Sequence, residues 1–397
     1  MIEDSIHGQD IVCLGFADWQ SELWTNQHHL MSRLGESNRV LFIESLGLRR
    51  PQLARSDVRR IVQRLDRTLG GIRTIGDVHV VSPPVIPLHR SRAVRAINAR
   101  LLRWSVARAT ERLGIREPLL WAYAPQAEAL IDDLRPSAVL YHCVDDLAAH
   151  KGIDPMSFRT AEERLARRAD LVVATARPLA ERMRRLAKNV LEAPNVADVD
   201  FFASALEDGA IDPGLAALPR PRIVFTGAVV STKLDFDLIA GAARARPDWS
   251  FVLVGPIGVG DPSTDVTPLE SEPNVYLLGG RHYSTLPRVL RGADVGWIPY
   301  ARDELTRSIF PMKVYEYRGA GLPIVSTSLP SLEGVEGVSF ADDPDSTAGA
   351  IEGALAENSR EARLRRSQLA RGHSWDARLE EIAKALQAAQ ADGGARR

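Results

Sequence analysis

The chain has 397 residues, 45% hydrophobic and 25% charged, with a formal net charge of −1. That length points to two domains, each large enough for its own core, and the composition is ordinary for a globular protein. No apolar run approaches the roughly 18 residues that a spanning helix needs, and the two cysteines, Cys13 and Cys143, lie in apolar runs, which argues against a disulfide framework and for a reducing, cytoplasmic setting.

In chain order, the N-terminus MIEDSIHGQD is acidic and polar, unlike a signal peptide. Asp10–Phe16 is an apolar run that predicts the first strand. The segment after it has a polar, aromatic start with Trp19, Trp24, Asn26, Gln27, His28 and His29, then a helical body through Leu30 and Leu34. Arg39–Ser45 predicts the second strand. Strand, loop, helix and strand in this order make a βαβ unit and imply a parallel sheet, whose ligands bind beyond the carboxyl ends of the strands. Trp24, Gln27 and His28 are placed for that, although a capped, solvated helix start explains the histidines equally.

Arg49–Arg73 reads as an arginine-rich, helical surface segment. From Val78 to Thr110 there is no acidic residue and there are six arginines. Val94, Ile97, Leu101 and Trp104 recur every three or four residues there, an apolar stripe on a basic helix. Two readings stay open: docking on an anionic membrane surface through the basic block of residues 49–116, or packing of the stripe on the domain core.

Leu119–Pro125 and Ala138–Asp146 predict two more strands. Their polar ends carry Tyr123 and Gln126, then His142, Asp145 and Asp146, and these ends should converge on one sheet edge. An alternative for Asp145 and Asp146 is a helix N-cap and its neighbour. Asp170–Thr175 and Val190–Asn195 complete a first domain over residues 1–195. Residues 196–221 have poor periodicity and read as a linker.

The same grammar restarts in a second domain, residues 222–372. Arg222–Gly227 predicts a strand ending at Gly227, and WSFVLVGP predicts another ending at Gly255. The loop after Gly227 carries Lys233 toward the top of the sheet. SIFPMKVYEYRGAGLPIVST, Ser308–Thr327, reads as a helix start, a glycine stop and a buried strand. Pro311 suits a first helical position. Lys313 and Glu316 share a helix face, near an N-terminus able to hold an anion such as a diphosphate. An ordinary surface Lys–Glu pair fits the local pattern as well. Only five lysines stand against 45 arginines, and two of them, Lys233 and Lys313, fall in these segments. Residues 373–397 carry a final helical pattern and a fraying tail. The fold class is therefore α/β, two doubly wound Rossmann-like domains.

CxxC pairs, HExxH, GxxxxGK[ST] and GxSxG are all missing. No residue set has metal-ligand spacing, so no metal and no cofactor is expected. Nucleic-acid binding has only the basic block in its favour and is not expected.

PMKVYEYRGAGLPIVST resembles the nucleotide-sugar signature of the retaining glycosyltransferases of family four, in which KxxEYxAxGxPVV is common. WTNQHHLMSRLGESNRVLFIE, YHCVDD and IVFTGAVVSTKLDFDLI are similar in the same register. The likeness is close to a branch of cell-envelope polysaccharide transferases of the teichuronic-acid type. It implies the GT-B architecture, with two domains facing across a cleft and a last helix crossing back to the first domain. It further implies transfer of a hexosyl-type sugar from a nucleotide-diphosphate sugar to a glycan or lipid-linked acceptor hydroxyl. That transfer would be retaining and metal-independent. The expected location is cytoplasmic, with the basic block leaving open a peripheral place on the inner face of the cytoplasmic membrane.

Among matching positions, Glu316 would bind the donor ribose. Lys233 and the amides of Met312 and Lys313 would hold the diphosphate, beside Gly227, Gly255 and Pro311. Tyr123, His142, Asp145 and Asp146 would form the catalytic side, and Trp24, Gln27 and His28 the acceptor side. Two departures stand out: Ser308 where relatives carry a glutamate, and Ala228 where they carry an arginine, a phosphate contact that Arg281 or Arg307 would replace. The competing readings are a sugar-nucleotide epimerase and a non-catalytic sugar-nucleotide-binding protein.

Overall fold

The computed structural model describes residues 6–21, 24–44, 71–86, 92–150 and 153–394. The expected helical segment between Arg49 and Arg73 lies almost wholly outside these. The chain divides into two compact units, one of Met1–Pro194 with Arg378–Arg397 and one of Asn195–Ala377.

The first unit holds β1 (Asp10–Leu14), β2 (Arg39–Ile43), β3 (Arg73–Ile75), β4 (Val78–Val81), β5 (Leu119–Ala122), β6 (Ala138–Cys143), β7 (Leu171–Ala174) and β8 (Val190–Glu192). Its described helices include α1 (Asn26–Gly35), α2 (Arg92–Leu113) and α3 (Pro155–Arg168). The strands form one sheet in the order β3-β4-β2-β1-β5-β6-β7-β8. Every pairing is parallel except β3 with β4. Helices on its faces keep the parallel strands dry, so they read as unbroken apolar runs. Val12, Leu14, Leu41, Leu120, Val139 and Val172 lie in one core. The order reverses between β1 and β5, which places a topological switch point, and hence a ligand crevice, at their carboxyl ends.

The second unit repeats the plan with β9 (Arg222–Thr226), β10 (Ser250–Val254), β11 (Val275–Leu277), β12 (Val295–Ile298), β13 (Ile324–Ser326) and β14 (Val338–Phe340). The sheet order is β11-β10-β9-β12-β13-β14, all parallel. Its switch point lies between β9 and β12. Asp235 caps α4 (Phe236–Ala245), which follows β9, and α5 (Lys313–Gly319) joins β12 to β13. The last helix, α6 (Trp375–Gly394), begins in the second unit and from Arg378 onward counts with the first.

The expected strands stand where the apolar runs put them, each shorter at its carboxyl end because the last residues turn into the connecting loop. β3 and β14 were not foreseen: at three residues each they carry too little alternation to register. Residues 196–221 are not a linker. Asp198 and Asp212 cap the short helices Val199–Ala203 and Pro213–Ala216, and Phe202 and Leu215 are fully buried. Short capped turns give no periodicity, which is why composition alone misreads them. No described helix is long and apolar enough to cross a membrane.

Candidate active site

In the second unit the site begins where β9 ends. Gly227 has φ +137°, a left-handed conformation that a side chain would strain. Its N–H donates to the Val254 carbonyl at 2.9 Å. A Cβ placed on the neighbouring Gly255 would lie 1.7 Å from the Gly227 carbonyl oxygen, so the two strand ends touch backbone to backbone. Val229 N–H then donates to Pro256 O and Gly258 N–H to Val229 O, both at 3.0 Å. The loop is tied a second time by Asp261, whose carboxylate accepts from Ser231 Oγ at 3.1 Å and from Ser263 Oγ at 2.6 Å.

This loop delivers Lys233. Its carbonyl accepts from Ala301 N–H at 2.9 Å, just beyond β12. Lys233 is half-buried, and its ammonium meets no carboxylate within ion-pair distance among the described residues.

Lys313 closes over the same strand end. A Cβ on Gly227 would stand 2.7 Å from Lys313 Cε and 3.0 Å from Nζ, and Nζ lies 5.7 Å from the centroid of the Phe225 ring. The helix carrying it is pinned to β9: Thr226 N–H donates to Tyr317 Oη at 2.8 Å. α5 starts two residues later than expected. Met312 is its cap, so Pro311 stands outside the first turn rather than at the first helical position. Val314 N–H donates to Pro311 O, and Tyr315 and Glu316 N–H both donate to Met312 O. The amides of Met312 and Lys313 are left without a partner among the described residues.

Glu316 is only 6% exposed, and its carboxylate accepts no hydrogen bond from any described residue. Burial raises its pKa above the usual range, and the Lys313 charge opposes that rise. For Lys313, burial pulls downward, but Glu316 and Tyr300 outweigh it and hold the ammonium above its usual value. A buried acceptor-only group is expensive to leave unpartnered. At a switch point beside Lys313 and two free amides, with Lys233 on the loop that follows the same strand, the arrangement suits a ligand that brings hydroxyls to Glu316 and an anion to the cation. Ser308 is buried, on the turn Thr306–Ser308. Neither proposed replacement arginine is free: Arg281 grips Asp212 with Nε at 2.8 Å from Oδ2 and Nη2 at 3.3 Å from Oδ1, and Arg307 pairs on the surface with Glu304.

In the first unit, Tyr123 follows β5 and its N–H donates to Leu14 O at 2.9 Å, at the switch point. Its ring stacks on His142 with centroids 4.9 Å apart. Tyr123 Oη and His142 Nδ1 are buried with no hydrogen-bond partner among the described residues. Burial, helped by the Arg378 charge, lowers the His142 pKa to about 3, so the imidazole is neutral at physiological pH. Gln27 Oε1 accepts from Phe16 N–H at 3.0 Å and Ala17 N–H at 3.3 Å, shaping the loop after β1. Its Nε2 stays unpartnered. Trp24 is 39% exposed and stacks on His28.

Two assignments change. His28 Nδ1 accepts from Thr25 N–H and Nε2–H donates to Asp18 O, each at 3.1 Å, so both nitrogens serve the start of α1 rather than an acceptor. Asp146 caps Ala148 N–H at 3.2 Å and pairs with Arg159 of α3, so its carboxylate is committed to structure. Asp145 is half-buried beside it. Sequence reading missed Glu44, which accepts from Trp19 N–H at 2.9 Å and pairs with Arg73 at 2.7 Å, holding the loop after β1 to β3. Its only signal was a carboxylate at the end of an apolar run. Tyr317 and Asp261 were missed because their partners are far away in sequence.

A pH dependence follows. The His142 and His29 pKa values both fall to about 3, chiefly by burial. A base whose folded pKa is depressed contributes stability above its unfolded pKa of about 6.5 and loses it as pH falls toward the folded value. The first unit should therefore lose thermal stability between about pH 6.5 and 3. His142→Phe should flatten that slope, as read by Tm against pH; an identical slope in the variant would remove His142 as a cause.

Comparisons with known proteins agree with this layout. Residues 220–357 match the family described as Glycosyl transferases group 1. The chain is 29% identical over 297 residues to the putative teichuronic acid biosynthesis glycosyltransferase TuaH of Bacillus subtilis (strain 168), covering 67% of this chain and 70% of that one. Its fold is similar to α,α-trehalose 6-phosphate synthase from Burkholderia multivorans, with TM-score 0.66, 13% identity and coverage of 98% and 100%. It is also similar to Anabaena HepE in complex with UDP and glucose, with TM-score 0.64, 16% identity and coverage of 96% and 100%. By fold the chain is α/β of the GT-B type, and its residues 220–357 are similar to the glycosyl transferases group 1 family.

Proposed function

We propose that the chain transfers a hexosyl-type sugar from a nucleoside-diphosphate donor to an acceptor hydroxyl, with retention, in building a cell-envelope polysaccharide. The observation that carries this is the buried, unpartnered Glu316 next to Lys313 over Gly227, at the switch point of the second sheet. Glu316 takes the ribose hydroxyls of the donor. Lys313, Lys233 and the amides of Met312 and Lys313 take the diphosphate, whose charge grows as its bond to the anomeric carbon breaks. Groups aimed in advance at developing charge are the usual source of the largest rate term, and two lysines supply that charge without a metal ion. The new bond forms on the face that the diphosphate leaves, and the acceptor proton passes to a diphosphate oxygen. No side-chain nucleophile is needed.

On the acceptor side, Tyr123, His142, Gln27 and Trp24 suit a glycan or lipid-linked hydroxyl. The neutral His142 serves there as a hydrogen-bonding group and not as a cation. The likeness to TuaH, a putative teichuronic acid biosynthesis glycosyltransferase, supports an envelope polysaccharide as product. UDP and UDP-glucose in the HepE complexes make UDP-sugars the first donors to test.

Incubation of the full chain with UDP-, GDP- and dTDP-sugars and with sugar or lipid acceptors should release nucleotide diphosphate with one donor. Proton NMR of the product should report the donor's anomeric configuration, and EDTA should leave the rate unchanged. Release with inversion would refute the same-face route; release abolished by EDTA would refute metal independence. No release with any donor and no UDP, GDP or dTDP binding would refute the reading as a whole.

A further inference from the structure

We propose that the outward face of α2 docks on an anionic lipid bilayer. α2 is 22 residues long, about 33 Å at 1.5 Å per residue. Its periodicity suggested that Val94, Ile97, Leu101 and Trp104 form the apolar stripe, without deciding whether that stripe faces the core or the outside. In the structure a different face does the packing: Leu102, Val106 and Ala109 are buried in the core of the first unit. Of the stripe, Val94 and Leu101 are half-buried, and Ile97 and Trp104 are left outside. Ile97 is 42% and Trp104 59% exposed. These two residues are seven apart and so project from the same side, two turns from each other.

Arginines surround them. Arg100 lies between the two, and the Arg108 guanidinium sits 5.9 Å from the centroid of the Trp104 ring. Arg103 is committed to Asp133 at the flank. Arg100 and Arg108 pair with no carboxylate among the described residues. The stretch from Val78 to Thr110 holds no acidic side chain, and Glu111 first closes the basic face.

A helix with exposed tryptophan and isoleucine set in uncompensated arginine matches the interface of an anionic bilayer. Indole and the apolar side chain enter the headgroup region, while arginine stems snorkel to lipid phosphates. The charge complementarity favours this occupant over an ordinary protein partner, and the two apolar side chains favour it over nucleic acid.

The test uses the full chain and vesicles of phosphatidylcholine alone or with about 30% phosphatidylglycerol. Co-sedimentation at about 50 mM NaCl should retain the protein on the anionic vesicles only, and about 500 mM NaCl should release it. Trp104→Ser and the double change Arg100→Glu, Arg108→Glu should each lower the bound fraction about fivefold or more. All three positions are exposed, so Tm should not move. Absence of binding at low salt would overturn the proposal, as would equal retention on neutral vesicles or unchanged binding by both variants. It is equally overturned if Trp104→Ser instead dissolves a dimer seen by light scattering, or if duplex DNA is bound as well as the anionic vesicles. Vesicle binding needs no donor sugar, so its failure leaves the glycosyl-transfer reading untouched.

Discussion

Glu316→Ala should lower kcat/KM for the nucleotide sugar by roughly a hundredfold to ten-thousandfold while the fold survives. Hydrogen bonds from two hydroxyls to a charged acceptor contribute about 1.5–3 kcal/mol each, and each 1.36 kcal/mol is about a factor of ten. The carboxylate is buried and accepts no hydrogen bond from any described residue, so its removal breaks no described hydrogen bond and takes from Lys313 only a compensating charge. Burial also raises its pKa. Such a group favours the folded state below its unfolded pKa and loses that contribution as pH rises through the folded value. At neutral pH the charged form is therefore a burden that a ligand relieves. Glu316→Gln keeps the shape but not the charge, and should fall between wild type and alanine. Steady-state kinetics with the active donor, beside calorimetric nucleotide binding, decides the matter. Unchanged donor binding in Glu316→Ala would remove the residue from the site and leave Lys313 to be explained otherwise.

Gly255→Ala should destabilise the second unit by about 3 kcal/mol or more, at or beyond the upper end of ordinary overpacking costs. The new methyl group would stand 1.7 Å from the Gly227 carbonyl oxygen. That neighbour is backbone at the end of a central strand, so it has no rotamer by which to move aside. For a unit of this size, the loss corresponds to a drop of roughly 6–12 °C in its melting transition. The two units need not melt together, so the expected pattern is a lower second-unit transition with the first unit unchanged. Donor binding should weaken with it, because moving Gly227 moves the floor beneath Lys313. A calorimetric trace matching wild type would show that the strand ends separate more easily than the geometry implies.

The strands were legible because each is a run of apolar residues wet on neither face, and a buried parallel strand has no other way to be written. The pairing of Lys313 with Glu316 on one helix face was legible for a similar local reason: residues three apart on a helix are neighbours. The free amides of Met312 and Lys313 followed from the helix start, and only the place of Pro311 moved, by two residues. His28 shows the limit. An aromatic-rich loop with two histidines reads as a binding surface, yet the hydrogen bonds to Thr25 and Asp18 that occupy its ring join residues three and ten positions away. Asp146 was open to two readings, and the contact with Arg159 decided for structure.

By itself the sequence determined the two α/β units, the order of their principal strands, and the candidate helix with its lysine and glutamate. All of these rest on periodicities and spacings within one element. Only the tertiary structure decided which side chains are free to act. Among the described residues it left the side chains of Glu316, Lys233 and Lys313 without hydrogen-bond or ion-pair partners, and it committed Arg281, His28 and Asp146 elsewhere. It also turned Ile97 and Trp104 outward. Whether a polar group is spent or available depends on partners brought together from distant parts of the chain, and no local pattern carries that information.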